Sequence, residues 1–315
     1  MASEKQNKIS VIIPVYKTER FLAAALDSLV AQTYENWEAV CVNDGSPDNC
    51  IDILKEYSKR DNRIKIISQE NSGVGKARNT GLKNITGKYV TFLDSDDTID
   101  SRWLEVMAAL AQEHDGDLIS LSHREVPPDF SLNSCDAPLL KDFSSAKIVS
   151  GKKDCMYTLW SGNAYLNCGI WNKMWKASIV KNALFDERIK MGEDTIFVWS
   201  TSMGIKKIVE FDFVGYFYRK TPSSIMNRPH FHESMQGWHA RCRKIYGLMK
   251  EYKRANFSYY PLFGFTSYVL HIFNAKTFRR LKENKFTVPE NPSLLKKTMR
   301  KIILRIVWTV TLPFK

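Results

Sequence analysis

The chain has 315 residues, enough for one large α/β domain or for a domain with an appendage. Its hydrophobic and charged fractions, 44% and 25%, are those of a globular protein with a sizeable core. No apolar run is long enough to span a bilayer, and the polar start of the chain predicts that no signal peptide is present. The six cysteines form no C-x-x-C pair, so we expect a reducing, cytosolic compartment, with Cys41 as a small core residue.

The net charge of +12 is concentrated at the end of the chain. From Lys276 onward there are eleven lysines and arginines against two glutamates, so the rest of the chain is nearly neutral. This distribution indicates a neutral body with a basic tail.

The first hundred residues alternate between strand and helix patterns. Apolar runs predict strands at Ile9–Val15, Trp37–Val42, Arg63–Ser68 and Tyr89–Leu93. Apolar residues at helical spacing lie between them, in 21–30, 51–57 and Gly73–Leu82. Such alternation favours parallel βαβ units with right-handed crossovers, and therefore a doubly wound, Rossmann-like half that binds a nucleotide.

The middle of the chain is less regular. It predicts strands at Asp117–Leu121, Lys206–Phe213 and Gly215–Arg219, short helices at Asn172–Asn182 and Asp194–Ser202, and a mostly helical region from Phe231 to Leu281.

A last helix is predicted to start at Pro292-Ser293, with Ser293 as its N-cap. Its apolar residues share one face of a helical wheel and its basic residues take the other. This pattern is typical of a basic amphipathic helix at an anionic membrane surface, with Trp308 and Phe314 as anchors. The alternative is a surface helix packed on the body with a solvated basic face.

Three carboxylates, Asp94, Asp96 and Asp97, follow the strand Tyr89–Leu93. Like charges this close raise each other's pKa unless a cation neutralises them. A divalent ion with oxygen ligands does so and keeps places for phosphate oxygens, at the strand end where open α/β sheets bind ligands. The cluster therefore predicts a metal–phosphate site, since a helix cap at Asp97 or Asp100 explains only one or two of the acids.

Two other segments point to the same sheet edge. Asp44 in Asp44-Gly-Ser46 is placed to accept hydrogen bonds from a base or ribose, although Asp-Gly-Ser-Pro is also strong turn chemistry. The glycine-rich segment Asn71–Asn79 opens a helix and directs backbone amides and Lys76 or Arg78 toward phosphate, or else caps and packs that helix. It is not a P-loop, because Glu70 stands where the first glycine belongs.

Glu193 and Asp194 open a later helix. Adjacent acids there are often only caps or dipole partners. Beside a metal–diphosphate site, however, one such carboxylate can remove the proton from an attacking hydroxyl.

A series of short motifs runs in order through residues 8–225. They are Val11-Ile-Ile-Pro14-Val-Tyr16, Val42-Asn-Asp44-Gly-Ser46, Ala77-Arg-Asn-Thr-Gly81-Leu82, Phe92-Leu-Asp94-Ser-Asp96-Asp97, Trp171-Asn172-Lys173, Gly192-Glu-Asp194 and Tyr218-Arg219 with Ser223-Ser224. The series resembles the family-2 inverting glycosyltransferases with the GT-A fold, of the type that serves bacterial polysaccharide biosynthesis. The C-terminal third lies outside the resemblance.

The resemblance implies a role for each matching residue. The donor nucleotide and its diphosphate would be bound by Pro14, Tyr16, Asp44, Ser46, Lys76, Asp94, Ser95 and Arg219. Asp96, with Asp94, would hold Mn²⁺ or Mg²⁺. Asp194 matches the catalytic base and Glu193 its neighbour, while Trp171, Asn172 and Lys173 would border the acceptor site. His230, His232 or His239 is a further metal-ligand candidate, or else a surface polar group.

The predicted organisation is a GT-A domain over 1–225, a helical region over 226–290 and the tail helix over 291–315. We expect a metal-dependent enzyme that moves a sugar from a UDP-sugar to a glycan or lipid-linked acceptor, at the inner membrane face and without nucleic acid. The alternatives are a nucleotidyltransferase and a non-catalytic nucleotide-binding or membrane-associated module. Pro14-Val-Tyr16 disfavours the first, because nucleotidyltransferases carry a glycine-rich basic loop after the first strand.

Overall fold

The structure is a computed structural model that describes residues 7–132, 142–160, 169–181, 183–189 and 192–220. The predicted helical region 226–290, the tail helix and the three histidines near residue 235 lie outside these ranges. Within them, no helix is long and apolar enough to cross a membrane.

The described residues form one mixed sheet with helices on both faces. Its strands are β1 (Ile9–Val15), β2 (Trp37–Asp44), β3 (Ile64–Gln69), β4 (Tyr89–Phe92), β5 (Thr98–Ile99), β6 (Leu118–Val126), β7 (Lys147–Ser150), β8 (Lys173–Lys176) and β9 (Lys207–Arg219). The helices are α1 (Glu19–Val30), α2 (Cys50–Arg60), α3 (Val74–Lys83), α4 (Trp103–His114), α5 (Lys152–Trp160), α6 (Ala177–Val180) and α7 (Glu193–Thr201).

The strand order is β3-β2-β1-β4-β8-β6-β9-β5, and β7 pairs with the outer side of β9. The first four strands of this order are parallel, as the βαβ pattern predicts. Beyond β4 the sheet is mixed, because β8 runs antiparallel to both β4 and β6, whereas β6 and β9 are parallel. The carboxyl ends of β1, β2 and β4 therefore meet at one edge.

Side chains on the two faces of β1 enter different cores. Ile9, Val11 and Ile13 pack with α1, α2 and α4, whereas Ile12 packs with Leu82 of α3. The backbone of α3 approaches the sheet closely, since a Cβ on Gly81 would lie 2.4 Å from Ile12 Cγ2. Cys41 is fully buried with a free thiol, as predicted.

Two predicted elements are wrong or incomplete. Asn172–Asn182 is not a single helix, because Lys173–Lys176 forms the central strand β8 and only Ala177–Val180 is helical. A four-residue strand carries too little periodicity to be distinguished from helix in the sequence alone. The strands predicted on either side of Val214 form one strand, β9, whose register with β6 shifts near Ser122.

A buried carboxylate ties the amino-terminal edge of the sheet together. Glu38 on β2 is 1% exposed and pairs with Lys65 of β3 at 2.7 Å and Lys8 at 3.0 Å. It also accepts hydrogen bonds from the Ser10 hydroxyl and from Thr86 N and Oγ1. Burial alone would raise the pKa of Glu38, but these partners outweigh it and lower the pKa.

We expect Glu38→Gln to lower the free energy of unfolding at pH 7 by about 1–3 kcal/mol, because it removes a charge with several buried hydrogen bonds. The lowered folded-state pKa means that this stabilisation exists above the unfolded pKa of about 4.3 and is lost as the pH falls below it. Urea unfolding at pH 7, 5 and 4 should therefore show that the difference in the free energy of unfolding between variant and parent becomes smaller as the pH falls. Glu56→Gln, on the exposed side of α2, is the control and should stay within about 0.5 kcal/mol.

Candidate functional site

Pro14 and Tyr16 lie where β1 reaches the carboxyl edge of the sheet. Leu93 N donates to Ile12 O, so Ile12 faces β4, and the β1–β4 ladder ends at the Ile12–Phe92 pair. Pro14 comes next on that side, where its missing N–H interrupts no ladder hydrogen bond. Pro14 itself is buried, whereas Tyr16 is 41% exposed. Tyr16 is thus the residue of this pair that presents a surface.

Asp44, at the end of β2, is 3% exposed and holds the segment before α3. Its carboxylate accepts hydrogen bonds from Gln69 Nε2 at 2.7 Å, Ser72 N at 3.0 Å and Gly73 N at 2.9 Å. The turn after β2 is stabilised by Asn43 instead, whose Oδ1 accepts from Ser46 N. The predicted contact of Asp44 with a base or ribose remains a prediction.

Hydroxyl groups link the loops along this edge. Ser46 Oγ accepts from Lys17 N at 2.7 Å and donates to Asp48 Oδ1, which joins the loops after β1 and β2. Thr18 Oγ1 donates to Ser95 Oγ at 3.0 Å and so joins the first of these loops to the aspartate cluster. Ser46 and Ser95 therefore hold the loops that carry the other predicted donor residues.

The three clustered aspartates have different surroundings. Asp94 and Asp96 are half-buried, whereas Asp97 is 1% exposed and accepts from Tyr216 Oη at 2.7 Å and Arg219 N at 2.6 Å. Burial, and then Asp94, raise the pKa of Asp96 to about 6. Asp97 thus anchors β9 and does not cap α4.

Tyr216 connects this anchor to Asp94, because its hydroxyl also accepts from Asp94 N at 3.2 Å. Arg219 lies on the far side, where Nε donates to Asp96 O and Nη1 donates to Pro128 O and Phe130 O. Arg219 as a whole is 4% exposed, and Nε and Nη1 of its guanidinium are bonded to main-chain carbonyl groups. In this arrangement Arg219 positions the loop beside Asp96, and its contact with a diphosphate remains a prediction.

Arg78 brings the two predicted acidic motifs together. Its Nη2 donates to Asp94 Oδ1 at 3.0 Å and its Nη1 to Glu193 Oε1 at 2.8 Å. Burial and the adjacent Asp194 raise the pKa of Glu193 to about 7, against the lowering effect of Arg78. Asp194 is half-exposed in the first turn of α7, where its Oδ1 accepts from Thr195 N.

The glycine-rich segment serves the packing of α3. Gly73 is the N-cap, with φ of 92°, and Gly81 lies against β1. Lys76 pairs with Glu187 at 3.2 Å, whereas Arg78 reaches the end of β4 and pairs there with Asp94. The capping and packing interpretation therefore describes Gly73 and Gly81, whereas a contact of Lys76 with phosphate remains a prediction.

The three predicted acceptor residues separate into one aromatic surface and two buried groups. Trp171 is half-buried and stacks on Tyr216 and Tyr218, with ring centroids 4.9 and 5.5 Å away. Asn172 donates to Leu121 O, and the fully buried Lys173 donates to Gly169 O and Asn172 Oδ1. Asn172 and Lys173 thus hold β8 in place, whereas Trp171 presents an aromatic face, and the acceptor contacts of all three residues remain predictions.

The acids at the end of β4 suit a hard divalent cation. In the part of the chain that the structure describes, no group of three or more His, Cys, Asp or Glu side chains is arranged to hold a metal. Mg²⁺ and ions like it are, however, commonly held by one or two carboxylates, with water and substrate phosphates as the other ligands. Burial, and then the charge of Asp94, raise the pKa of Asp96, and a bound cation would offset both effects by stabilising the charged carboxylate. Asp94 and Asp96 therefore fit such an ion.

The sequence reasoning missed Tyr216 and the bridging role of Arg78. Tyr216 lies at a strand position where an aromatic residue ordinarily signals only core packing. For Arg78 a signal existed, because a charged residue on the packed face of a helix that also carries Ala77 and Gly81 requires a buried partner.

A model of glycosyl transferase family 2 matches residues 10–136. This range contains β1 to β4, Arg78 and the aspartate cluster. Residues 10–136 belong to glycosyl transferase family 2. The predicted GT-A fold is thereby confirmed for the described residues and the prediction of a glycosyltransferase at the level of the family, whereas the predicted helical C-terminal extension lies outside the described residues.

The relatives support this assignment. Glycosyltransferase GlyA of Streptococcus pneumoniae is 34% identical over 70% of this chain, but the match spans only 31% of GlyA. The uncharacterized glycosyltransferase EpsJ of Bacillus subtilis is 28% identical over 94% of this chain and 83% of its own. The crystal structure of residues 1–349 of Staphylococcus aureus TarS in complex with UDP-GlcNAc is 27% identical, with a TM-score of 0.57 over 71% of this chain and 61% of that chain.

We expect Tyr216→Phe to reduce the free energy of unfolding by about 1–3 kcal/mol, because it leaves the buried Asp97 carboxylate short of one donor. Urea unfolding monitored by circular dichroism measures the loss. Tyr89→Phe is the matched control, since this buried tyrosine has no hydroxyl hydrogen bond among the described residues. Equal effects of the two substitutions would contradict the anchoring role of Tyr216.

Proposed function

We propose that this protein is an inverting, metal-dependent glycosyltransferase that moves a sugar from a UDP-sugar to a hydroxyl group of a glycan or lipid-linked acceptor. The observation that carries the proposal is the convergence, through Arg78, of the Asp94–Asp96 end of β4 with the Glu193–Asp194 start of α7. This convergence supports the proposal, because a displacement at a sugar carbon needs donor-side and base-side carboxylates close to one another.

The donor nucleotide is assigned to the loops after β1 and β2. The exposed ring of Tyr16 offers a stacking surface there, and Ser46 fixes the loop that bears it. The complex of TarS with UDP-GlcNAc supports a uridine donor, since this chain matches that protein in sequence as well as in fold. Which sugar this chain transfers is left to the donor panel below.

Asp94 and Asp96 would hold Mn²⁺ or Mg²⁺. When bound, such an ion neutralises charge that develops on the departing nucleoside diphosphate. The protein's own part is to keep both carboxylates at the end of β4, which Tyr216, Ser95 and Arg78 do through the hydrogen bonds described above.

Asp194 is the proposed base. Its half-exposed position lets it accept the proton of an acceptor hydroxyl, while Glu193, directed inward to Arg78, stays covered. Deprotonation of a hydroxyl held in line behind the anomeric carbon gives one displacement and inverted configuration. The face of Trp171, stacked on Tyr216 beside the aspartates, is suited to an acceptor sugar ring.

The first test is a thermal-shift titration with UDP, GDP, CDP and a nicotinamide dinucleotide, each with and without Mn²⁺. Stabilisation by UDP that requires Mn²⁺ is expected, because a ligand bound only by the folded state raises its stability by about 2.7 kcal/mol at one hundred times its Kd. A panel of UDP-sugars, including UDP-GlcNAc, then identifies the donor. Absence of any nucleotide response would contradict the proposal.

We expect Asp194→Asn to lower transfer by about 10²–10⁴-fold, because it removes the general base, while UDP and Mn²⁺ still stabilise the protein. Product formation and thermal shift, measured on the same preparations, separate the two effects. Asp52→Asn, at an exposed position of α2, is the control and should behave as the parent. Full transfer by the Asp194 variant would rule out this residue as the base.

We also propose that the protein lies at the inner face of the cell membrane, where a lipid-linked acceptor would be presented. Support comes from the basic and apolar faces of the sequence from Ser293 onward.

Removal of residues 293–315 should release the protein from anionic vesicles, because it deletes the proposed anchor. Co-sedimentation with phosphatidylglycerol and with phosphatidylcholine vesicles measures this loss. A variant with Lys296, Lys297, Arg300 and Lys301 changed to Gln keeps the apolar face and should lose only the preference for anionic lipid. Unchanged binding of the truncated protein would refute the membrane part alone.

A further inference from the structure

One buried cation joins two distant parts of the chain. Arg78 on α3 is 6% exposed, and its two terminal nitrogens donate to Asp94, 16 positions away, and Glu193, 115 positions away. Asp94 belongs to the proposed donor side, and Glu193 directly precedes the proposed base, Asp194, in the chain.

The contact requires an arginine. A guanidinium is planar, stays charged and directs separate N–H groups to two partners, whereas the lysine ammonium is a point charge. Burial alone would lower the pKa of Arg78, but Asp94 and Glu193 outweigh it and raise the pKa. Arg78 Nε is buried without a hydrogen-bond partner among the described residues. An unsatisfied donor costs stability, so the orientation of this group serves the two carboxylates at the expense of its own third contact.

The same face of α3 holds the segment that leads to the base. Asn79 Oδ1 accepts from Phe185 N at 2.8 Å and its Nδ2 donates to Phe185 O at 3.0 Å. The segment also lies close to Gly75, where a Cβ would be in van der Waals contact with Phe185 Cβ at 3.5 Å and with Glu193 Cγ at 3.9 Å. Asn79 thus fixes Phe185 to α3, and Arg78 fixes Glu193, further along the chain, to the same helix.

We propose that Arg78 is a positioning residue that sets the distance between the donor-binding carboxylate Asp94 and the base Asp194. The inference rests on the proposed function. It has a consequence for cation binding, because Asp94 and Glu193 share one guanidinium. With Glu193 neutralised, Arg78 pairs more strongly with Asp94, which then becomes a weaker ligand for a divalent cation.

The decisive variant is therefore Glu193→Gln, and the property to measure is how its UDP-dependent thermal shift varies with the Mn²⁺ concentration. We expect the Mn²⁺ concentration that gives half of the UDP-dependent thermal shift to rise about fivefold or more. Glu187→Gln is the matched control, because Glu187 also contacts α3, through Lys76 and Asn79, but does not contact Arg78. The Mn²⁺ dependence of Glu187→Gln should equal that of the parent. If Arg78 only packed against its neighbours, Glu193→Gln and Glu187→Gln would show the same Mn²⁺ dependence.

A second variant, Arg78→Lys, keeps the positive charge but removes the planar guanidinium that donates to both carboxylates. We expect kcat for UDP release from the donor found in the panel to fall by about 10–100-fold, with the donor KM within about threefold, because the base is displaced while binding is retained. Arg188→Lys, in the same 183–189 segment but paired with Asp186 at the surface, is the control and should keep the parent kcat.

The outcomes separate the inference from the function on which it rests. An unchanged Mn²⁺ dependence in Glu193→Gln overturns the inference, and so does an unchanged kcat in a folded Arg78→Lys variant. If Arg78→Lys does not fold, the Glu193 variant decides. A parent protein that shows no response to UDP and Mn²⁺ overturns the proposed function. A responsive parent whose variants keep the parent's Mn²⁺ dependence and kcat overturns the inference alone.

Discussion

The carboxyl edge of this sheet concentrates negative charge, and the structure depends on how that charge is compensated. Asp94, Asp96, Asp97, Glu193 and Asp194 come from two segments that would repel each other if brought together without a cation. Arg78 provides a buried positive charge between the segments, and Tyr216 with the Arg219 backbone satisfies Asp97. The half-buried Asp96 accepts no hydrogen bond from another side chain among the described residues, so it is the acid on which a divalent ion would act most directly.

The parallel half of the fold could be predicted from the sequence, because each strand is an apolar run and each helix has an apolar stripe. Ile9–Val15 is predicted to the residue, and Glu193–Thr201 within one residue at each end. The antiparallel half is harder, because β8 is a four-residue strand whose neighbours, β4 and β6, are remote in sequence. Lys173 lies fully buried in that strand. Because lysines are mostly found at the surface, the sequence around it gives no sign that it is buried.

The candidate site shows the same division. Motifs located the acids, since carboxylates at strand and helix ends are legible in sequence. They did not distinguish side chains that face a ligand from side chains that hold the loops. Asp44, Asn172, Lys173 and Arg219 belong to the matching motifs, yet in the structure each bonds to loop or strand groups around the site. A motif identifies the residues of a site. Only the structure shows which of them hold the surrounding loops and strands.

The anchoring of β9 couples the end of that strand to the loop that carries Asp96. Arg219 is fixed to Asp97 through its backbone N–H and to the main-chain carbonyl of Asp96 through its side chain. A substitution that detaches the end of β9 from this loop would therefore also release the main chain at Asp96. The stability of this strand and the position of that carboxylate are for this reason not independent of each other.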